Sequence, residues 1–555
     1  MTPPDTTDDA FSGYTRALAA LDQYMASATA ALAQRVAHSG KPLAQAIETA
    51  QIAAHGLAWL ATTTEGLRQL LAWAVQRKAA GRLRELDSLK LQIAFCDYLA
   101  QATGRLPIGP GETAGPADMG AAAAAHVLLA HADVRGMVMN HDLTEARMRA
   151  AQLVAENSET AIDADSDPTL AQFQEQIRRF VSKEVSPHAH RWHRENMLIP
   201  RSVLDGMSDM GVFGLTIAQS NGGLGVGKLA MCVVTEELSR GYIGVGSIGT
   251  RSEIAAELIA GGGTAAQKSY WLPRIANGTC ISTAAFTEPN AGSDLANVQT
   301  RARRAADGNW RVTGAKTWMT HGARADLMIM LVRTSTTELG YKGLSILLAP
   351  KTPGTDAVPF CDPGISGSEI HVLGYRGMKE YAVAFDDFPV AAENLLGETE
   401  GSGFKHLMTT FESARIQTAA RAVGVAQNAL DLALRYAQDR MQFGRPLLGF
   451  PRVATKIAAM ATEIEIARQL AYAAARRKDQ GVRCDIEAGM AKLLASRVAW
   501  TCADAAVQIH GGNGYAEEFP ISRVLCDARI LSIFEGAAEI QAEVIARGLL
   551  GKHAV

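Results

Sequence analysis

The chain has 555 residues, well past the ~250 to 300 at which one hydrophobic core stops growing, so roughly three or four domains are expected. Hydrophobic residues make up 48% and charged residues 20%, which excludes wholesale disorder and a fibrous fold. Lys plus Arg (54) nearly balances Asp plus Glu (57), and a net charge of -3 offers no electrostatic reason to bind nucleic acid or an anionic membrane, which leaves a small-molecule site. Seven scattered cysteines without a C-x-x-C pair argue for reduced, buried thiols rather than disulfides or zinc. The opening MTPPDTTDDAFSGY is acidic where a signal or transit peptide is basic, and the Ala-rich run at 120–130 is too short to span a bilayer. A cytoplasmic protein is the expectation.

In chain order, residues 1–156 read as a helical extension. Positions 1–160 hold 37 alanines, the strongest helix former. Leu18, Leu21, Met25, Ala28, Leu32 and Val36 keep helical spacing, as do Leu89, Ile93, Cys96 and Leu99 before Gly104 and Pro107. Residues 107–120 (PIGPGETAGPADMG) have turn composition and predict a loop before a helix over 121–138. The polar stretch 157–168 reads as a linker. A second helical region covers 169–280, interrupted by Asn221-Gly222-Gly223-Leu224-Gly225, a structural turn because no βαβ unit surrounds it. Residues 281–393 form a small β domain with strands at 310–312, 327–332, 344–348 and 382–385. Residues 394–555 return to long helices.

Chemistry-bearing motifs begin in the β region with Thr287-Glu288-Pro289-Asn290-Ala291-Gly292-Ser293-Asp294, then Lys316-Thr317-Trp318-Met319-Thr320. Arg440-Met441-Gln442-Phe443-Gly444-Arg445, Gln508-Ile509-His510-Gly511-Gly512-Asn513-Gly514-Tyr515 and Ile533-Phe534-Glu535-Gly536 follow. Five such motifs in this order, over residues 170–555, resemble the acyl-CoA dehydrogenase family. The resemblance implies a mainly α fold made of a helical domain, a β-barrel-like domain and a C-terminal helical bundle, to which this chain adds its all-α extension.

The same resemblance implies the chemistry. Enzymes of the family take a proton from the carbon α to a thioester and pass a hydride from the β carbon to FAD, so base and flavin flank the bond being oxidised. Glu535 matches the base, at the start of a helix carrying Ile540, Val544 and Leu549; a carboxylate in a dry pocket should have its pKa raised towards operating pH. An isolated Glu there would be a helix-start residue favoured by the macrodipole. Phe286 and Thr287 by their backbone, with Trp318 and Thr320, match the flavin-ring contacts; Gly292 and Ser293 match the phosphate loop, Ser293 also touching substrate. Arg440, Gln442 and Phe443 match a segment reaching the FAD of a neighbouring subunit, and Gln508, Gly511 and Gly512 match positions beside its adenylate half, so a homo-oligomer is implied. Arg415 matches an Arg near the CoA moiety. The amide of the base and a flavin hydroxyl hold the thioester carbonyl, which brings Glu535-Gly536 into the substrate site. The hydroxyl residues that commonly follow are replaced by Ala537 and Ala538, so that FAD contact is not carried over.

The extension, containing His55-Gly56-Leu57-Ala58-Trp59-Leu60, resembles that of members serving the bacterial ethylmalonyl-CoA pathway, whose substrate is a branched C4-chain acyl-CoA with a free carboxylate and whose acceptor is electron-transfer flavoprotein. Such a substrate needs a cation for its second carboxylate. Arg251, in Gly249-Thr250-Arg251-Ser252-Glu253, is the candidate, the alternative being an exposed helix Arg. His188, His190 and His193 lack a carboxylate at metal spacing and read as surface or interdomain residues, so no metal is expected. The competing readings are another short or branched acyl-CoA dehydrogenase, an oxidase, and a nucleic-acid-binding flavoprotein on the same scaffold, which the charge balance does not favour.

Overall fold

The computed structural model describes residues 11–139, 142–156 and 167–551. Most of the expected linker at 157–168 lies outside the described residues.

Long helices dominate the extension: Ser12–His38, Gln51–Ala79 and Glu85–Thr103, followed by shorter ones ending at Thr144–Glu156. Their apolar stripes face inward, with Leu18, Leu21, Ala28, Leu32 and Val36 all buried. Gln51–Ala79 packs against Pro451–Asp479 and Ala538–Gly551 of the C-terminal region, and both Glu85–Thr103 and Thr144–Glu156 also lie on Pro451–Asp479. Buried polar contacts fasten this interface. Lys90 Nζ lies 3.0 Å from Glu465 Oε2, and the Tyr98 hydroxyl donates to Glu463 at 2.8 Å. The Arg497 guanidinium covers the Trp59 ring at 3.8 Å.

Two local expectations are corrected. Residues 107–120 do not form a plain loop: Leu106–Gly109 and Glu112–Ala114 make an antiparallel hairpin, turned at Gly111 with φ 75°. The hairpin is held by tertiary bonds that turn composition does not reveal, from Trp59 Nε1 to Ile108 O and from Arg497 Nη1 to Pro107 O. The single helix over 121–138 is instead two, Ala122–Ala130 and Ala132–Met139. His131 is extended between them, and Asp133 in the new first turn is tied to Arg16 at 2.9 Å.

Beyond the extension, helices from Pro168–Phe180 to Ala265–Ala276 precede a seven-stranded sheet. Leu327–Arg333 pairs parallel with Ser282–Ala285 on one edge and antiparallel with Leu344–Pro350 on the other. Arg301–Arg304 touches its end and leads antiparallel to Trp310–Lys316, then Glu380–Val390, then Ile365–Ile370. The expected strands fall inside this sheet. At the Asn221–Gly225 turn, Gly222 has φ 82°, and a Cβ on Gly223 would lie 2.1 Å from Ile217 O, so that site admits only glycine.

Gly403–Asp439, Pro451–Asp479 and Asp485–His510 form the C-terminal bundle, with Gly403–Asp439 buried against the second helical region. The cysteines are free as expected, but Cys361 is exposed and Cys526 half-buried. Among the described residues no helix is long and apolar enough to cross a membrane, and no His, Cys, Asp and Glu cluster has metal-site geometry.

Candidate active site

Glu535 does not open a helix; it lies in the turn before Ala538–Gly551, with φ 52°, a left-handed conformation costly for a residue with a side chain. Gly536 continues the turn at φ 91°. Lys492 Nζ, from the bundle interior, donates to Gly536 O at 2.6 Å, and Gln541 Nε2 donates to the carbonyls of both residues at 3.3 Å. The turn is thus pinned from two helices. The Glu535 N–H has no acceptor among the described residues.

Both carboxylate oxygens of Glu535 are engaged. Arg251 Nη2 is 3.0 Å from Oε1, and Arg421 Nη2 is 2.9 Å from Oε2, which also accepts from the Thr418 hydroxyl. Arg421 is wholly buried; it bonds Thr418 Oγ1 at 2.7 Å and Ser247 Oγ at 3.0 Å, and its guanidinium faces the Phe534 ring at 5.0 Å. Tyr375 presents its hydroxyl to both arginines, 3.3 Å from Arg251 and 3.4 Å from Arg421. The Nε of each arginine is buried without an acceptor.

This geometry removes one alternative and corrects one expectation. Arg251 is not the exposed helix charge that was the alternative reading but a buried one, 9% exposed, bound to the expected base. The Glu535 pKa is not raised: burial pushes it up, but Arg421 and Arg251 outweigh burial and hold it below the usual carboxylate range. Lys492 is pulled down to about 7 by burial despite the attraction of Glu535.

A second carboxylate stands behind the expected flavin contacts. Thr320, buried at the end of the Lys316–Thr320 motif, donates to Glu380 Oε2 at 3.1 Å, while Glu380 Oε1 is buried without a partner. Burial drives Glu380 up to about 7, against the Thr320 hydrogen bond and Arg251. Trp318 is 53% exposed on a left-handed backbone at φ 57°, and so is not a core aromatic. Phe286 and Thr287 are held by their carbonyls, which accept from Lys316 Nζ at 3.0 Å and Thr317 N at 2.9 Å. Gly292 and Ser293 are exposed on the adjoining loop.

The structure does not bring the remaining candidates to this point. Arg440 lies nineteen residues beyond Arg421 along and just past one helix, roughly 28 Å at 1.5 Å per residue. Gln442 and the 92% exposed Phe443 lie in the following hairpin, and Gln508, Gly511 and Gly512 end the neighbouring helix. The two segments meet where Tyr436 stacks on His510 at 4.2 Å. No side chain lies within 4 Å of where a Cβ would stand on Gly511 or Gly512, so another molecule can approach closely there. Arg415 is buried on the Arg421 helix, its pKa lowered by burial in spite of Asp485 and Glu412. Of the histidine cluster, His193 is buried, 4.0 Å from Asp527.

Three family models match consecutive parts of the chain: the N-terminal domain of acyl-CoA dehydrogenase over residues 167–279, the middle domain over 283–388 and the C-terminal domain over 401–550. The (2S)-methylsuccinyl-CoA dehydrogenase of Cereibacter sphaeroides is 55% identical over 538 residues, 96% of this chain and 97% of that protein. The chain belongs to the acyl-CoA dehydrogenase family. Among solved structures of the family, butyryl-CoA dehydrogenase from Megasphaera elsdenii superposes with a TM-score of 0.65 at 33% identity, covering 69% of this chain and 98% of that one. Glutaryl-CoA dehydrogenase in complex with glutaryl-CoA gives the same TM-score and identity, covering 69% and 96%. These two align with about the length of the acyl-CoA dehydrogenase core alone, whereas the Cereibacter protein is matched through the extension as well.

Within this acyl-CoA dehydrogenase, sequence reasoning missed Thr418, Arg421, Tyr375, Glu380 and Lys492. A signal existed for Arg421. It interrupts the run Ile416–Val425, in which every residue is buried, and an Arg inside a helix buried all round needs a buried anion. Tyr375 and Glu380 come from a loop and a strand start, where no periodicity marks a residue as facing a site.

Proposed function

We propose that this protein oxidises (2S)-methylsuccinyl-CoA to mesaconyl-CoA with FAD as resident cofactor, within the ethylmalonyl-CoA pathway, and passes the electrons to electron-transfer flavoprotein. One observation carries the choice of substrate: two buried guanidiniums, Arg251 and Arg421, converge on the single carboxylate of Glu535. Arginines are charged at every physiological pH, so the site holds a surplus of positive charge that a second carboxylate neutralises. An uncharged acyl chain leaves that surplus buried, at a cost of several kcal/mol.

The residues present fit a flavin. Trp318 offers an exposed indole, Thr320 a hydroxyl that donates to Glu380 and can still accept, and the loop from Phe286 ends in the exposed Gly292 and Ser293. When bound, FAD supplies the acceptor for the hydride leaving the β carbon. Glu535 takes the α proton. The Glu535 N–H, without an acceptor among the described residues, is the donor this reading gives to the thioester oxygen, where negative charge grows as that proton leaves. Lys492 and Gln541 keep the turn in place by holding its carbonyls. Because Arg440, Phe443, Gln508 and Gly511 are distant from Glu535, they serve the cofactor site of another copy, which makes the active form a homo-oligomer.

Anaerobic flavin bleaching by a panel of CoA esters, followed by admission of air, tests this reading. Methylsuccinyl-CoA should bleach the flavin at least 100-fold faster than uncharged esters of equal length, with slow reoxidation in air and fast reoxidation by electron-transfer flavoprotein (the factor being about the ~3 kcal/mol of an unmatched polar group). Equal bleaching by uncharged esters would overturn the substrate assignment; rapid reoxidation in air would make the enzyme an oxidase.

A further inference from the structure

The arginines that suit the substrate's second carboxylate are the ones already bonded to the base. We infer that the substrate's free carboxylate displaces Glu535 from Arg251 and Arg421, so that the base is released for proton abstraction only when a dicarboxylic thioester is bound. The inference rests on the substrate reading above and adds to it a control on the base itself.

Substrate geometry leads to this exchange. In a succinyl thioester the free carboxylate is attached to the β carbon, next to the carbon that loses its proton. A cation holding that carboxylate must therefore stand within a few ångströms of the base. Arg251 and Arg421 stand there, at 3.0 and 2.9 Å from Glu535, and both their engaged Nη2 atoms are spent on it. Arg421 is fixed, with no exposure and with bonds to Ser247 and Thr418. The turn of Glu535 is fixed as well, through Gly536 O. What remains free to move is the Glu535 side chain.

A clamped Glu535 is a poor base. Both oxygens carry donors, and the two cations hold its pKa below the ordinary range. Once a second carboxylate takes over the guanidiniums, the forces lowering that pKa weaken while burial, which raises it, remains. Proton affinity then climbs towards the value general-base catalysis needs. A monocarboxylic ester cannot make the exchange: freeing Glu535 would leave two buried guanidiniums without an anion. Specificity thus acts on the chemical step as well as on binding.

The test uses the intact holoenzyme and 2-methylpropanoyl-CoA, which is the α-branched substrate with its carboxylate deleted. Flavin reduction is followed anaerobically at saturating ester, with and without formate, which fits the space of the missing group. Formate should speed reduction by the deleted ester at least tenfold, and the reduction rate with methylsuccinyl-CoA should titrate at a higher pH than the formate-free rate with the deleted ester. Arg421→Gln should show a crossed effect: slower with methylsuccinyl-CoA, faster with 2-methylpropanoyl-CoA. No acceleration by formate together with identical pH profiles would overturn the exchange, as would Arg421→Gln slowing both esters or leaving the deleted ester unchanged. If methylsuccinyl-CoA itself fails to bleach the flavin, the substrate reading falls instead.

Discussion

Two of the buried charge networks in this molecule differ in how their charges are balanced. Where the extension meets the core, Lys90 pairs with Glu465, Glu465 with Arg468, and Arg468 with Glu236, whose second oxygen accepts from Tyr472 at 3.0 Å. Two cations meet two anions, and the Glu465 pKa is driven down to about 2 because Lys90 and Arg468 outweigh burial. Around Glu535, two guanidiniums meet one ionised carboxylate, each Nε lacks an acceptor, and Glu380 has an oxygen with no partner. The balanced network joins the extension to the core helices, and the unbalanced one surrounds the proposed base. Buried charge alone marks neither stability nor function, so the charge balance of each network has to be read separately.

Replacing Glu535 by Gln should cut the rate of flavin reduction by methylsuccinyl-CoA at least ~1000-fold, the upper range of general-base effects, while FAD stays bound with an unchanged absorption spectrum. Full reduction by the variant would remove Glu535 as the base. The balanced network should answer differently. Lys90→Met leaves Glu465 with one cation fewer and should cost about 3 to 5 kcal/mol in urea unfolding of the extension interface, with the preference for dicarboxylic esters intact. A change of preference in that variant would couple the two networks and erase the contrast. Arg251→Ala should lower the ratio of methylsuccinyl-CoA to 2-methylpropanoyl-CoA oxidation by about 10- to 100-fold, as for loss of one buried ionic contact. An unchanged ratio would leave Arg421 alone to recognise the carboxylate.

The contrast also accounts for what could be read from sequence. Helices with long stripes, such as Leu18 to Val36, and the strand 327–332 were legible because burial imposes a period on them. The hairpin at 106–114 was not, because its bonds run to Trp59 and Arg497, distant in sequence. At the site, the motif marked Glu535 as the candidate base and the sequence offered Arg251 as a candidate carboxylate partner, but the ion pair between them was not legible. Residues 251 and 535 are 284 apart, and only the packing of Gly403–Asp439 between their segments reveals that they share a partner shell with Arg421. For the same reason the pKa of Glu535 was expected to move up with burial alone, when two unseen cations move it down.

The smallest effect concerns Glu380, and its sign is fixed by linkage. The folded protein raises this carboxyl from an ordinary 4.5 to about 7, chiefly by burial. Between those values the folded state binds a proton that the unfolded chain has released, so stability falls as pH rises through the window and levels off above about 7. Glu380→Gln keeps a group able to accept from Thr320 but removes the titration. At pH 8 the variant should therefore be more stable than the parent by ~1 to 3 kcal/mol, the worth of one to two pKa units, and the gain should vanish by pH 4.5. Denaturation midpoints at the two pH values measure it. A gain of equal size at both would mean that Glu380 does not titrate within the window, and the surplus charge around Glu535 would then already be balanced from behind Thr320.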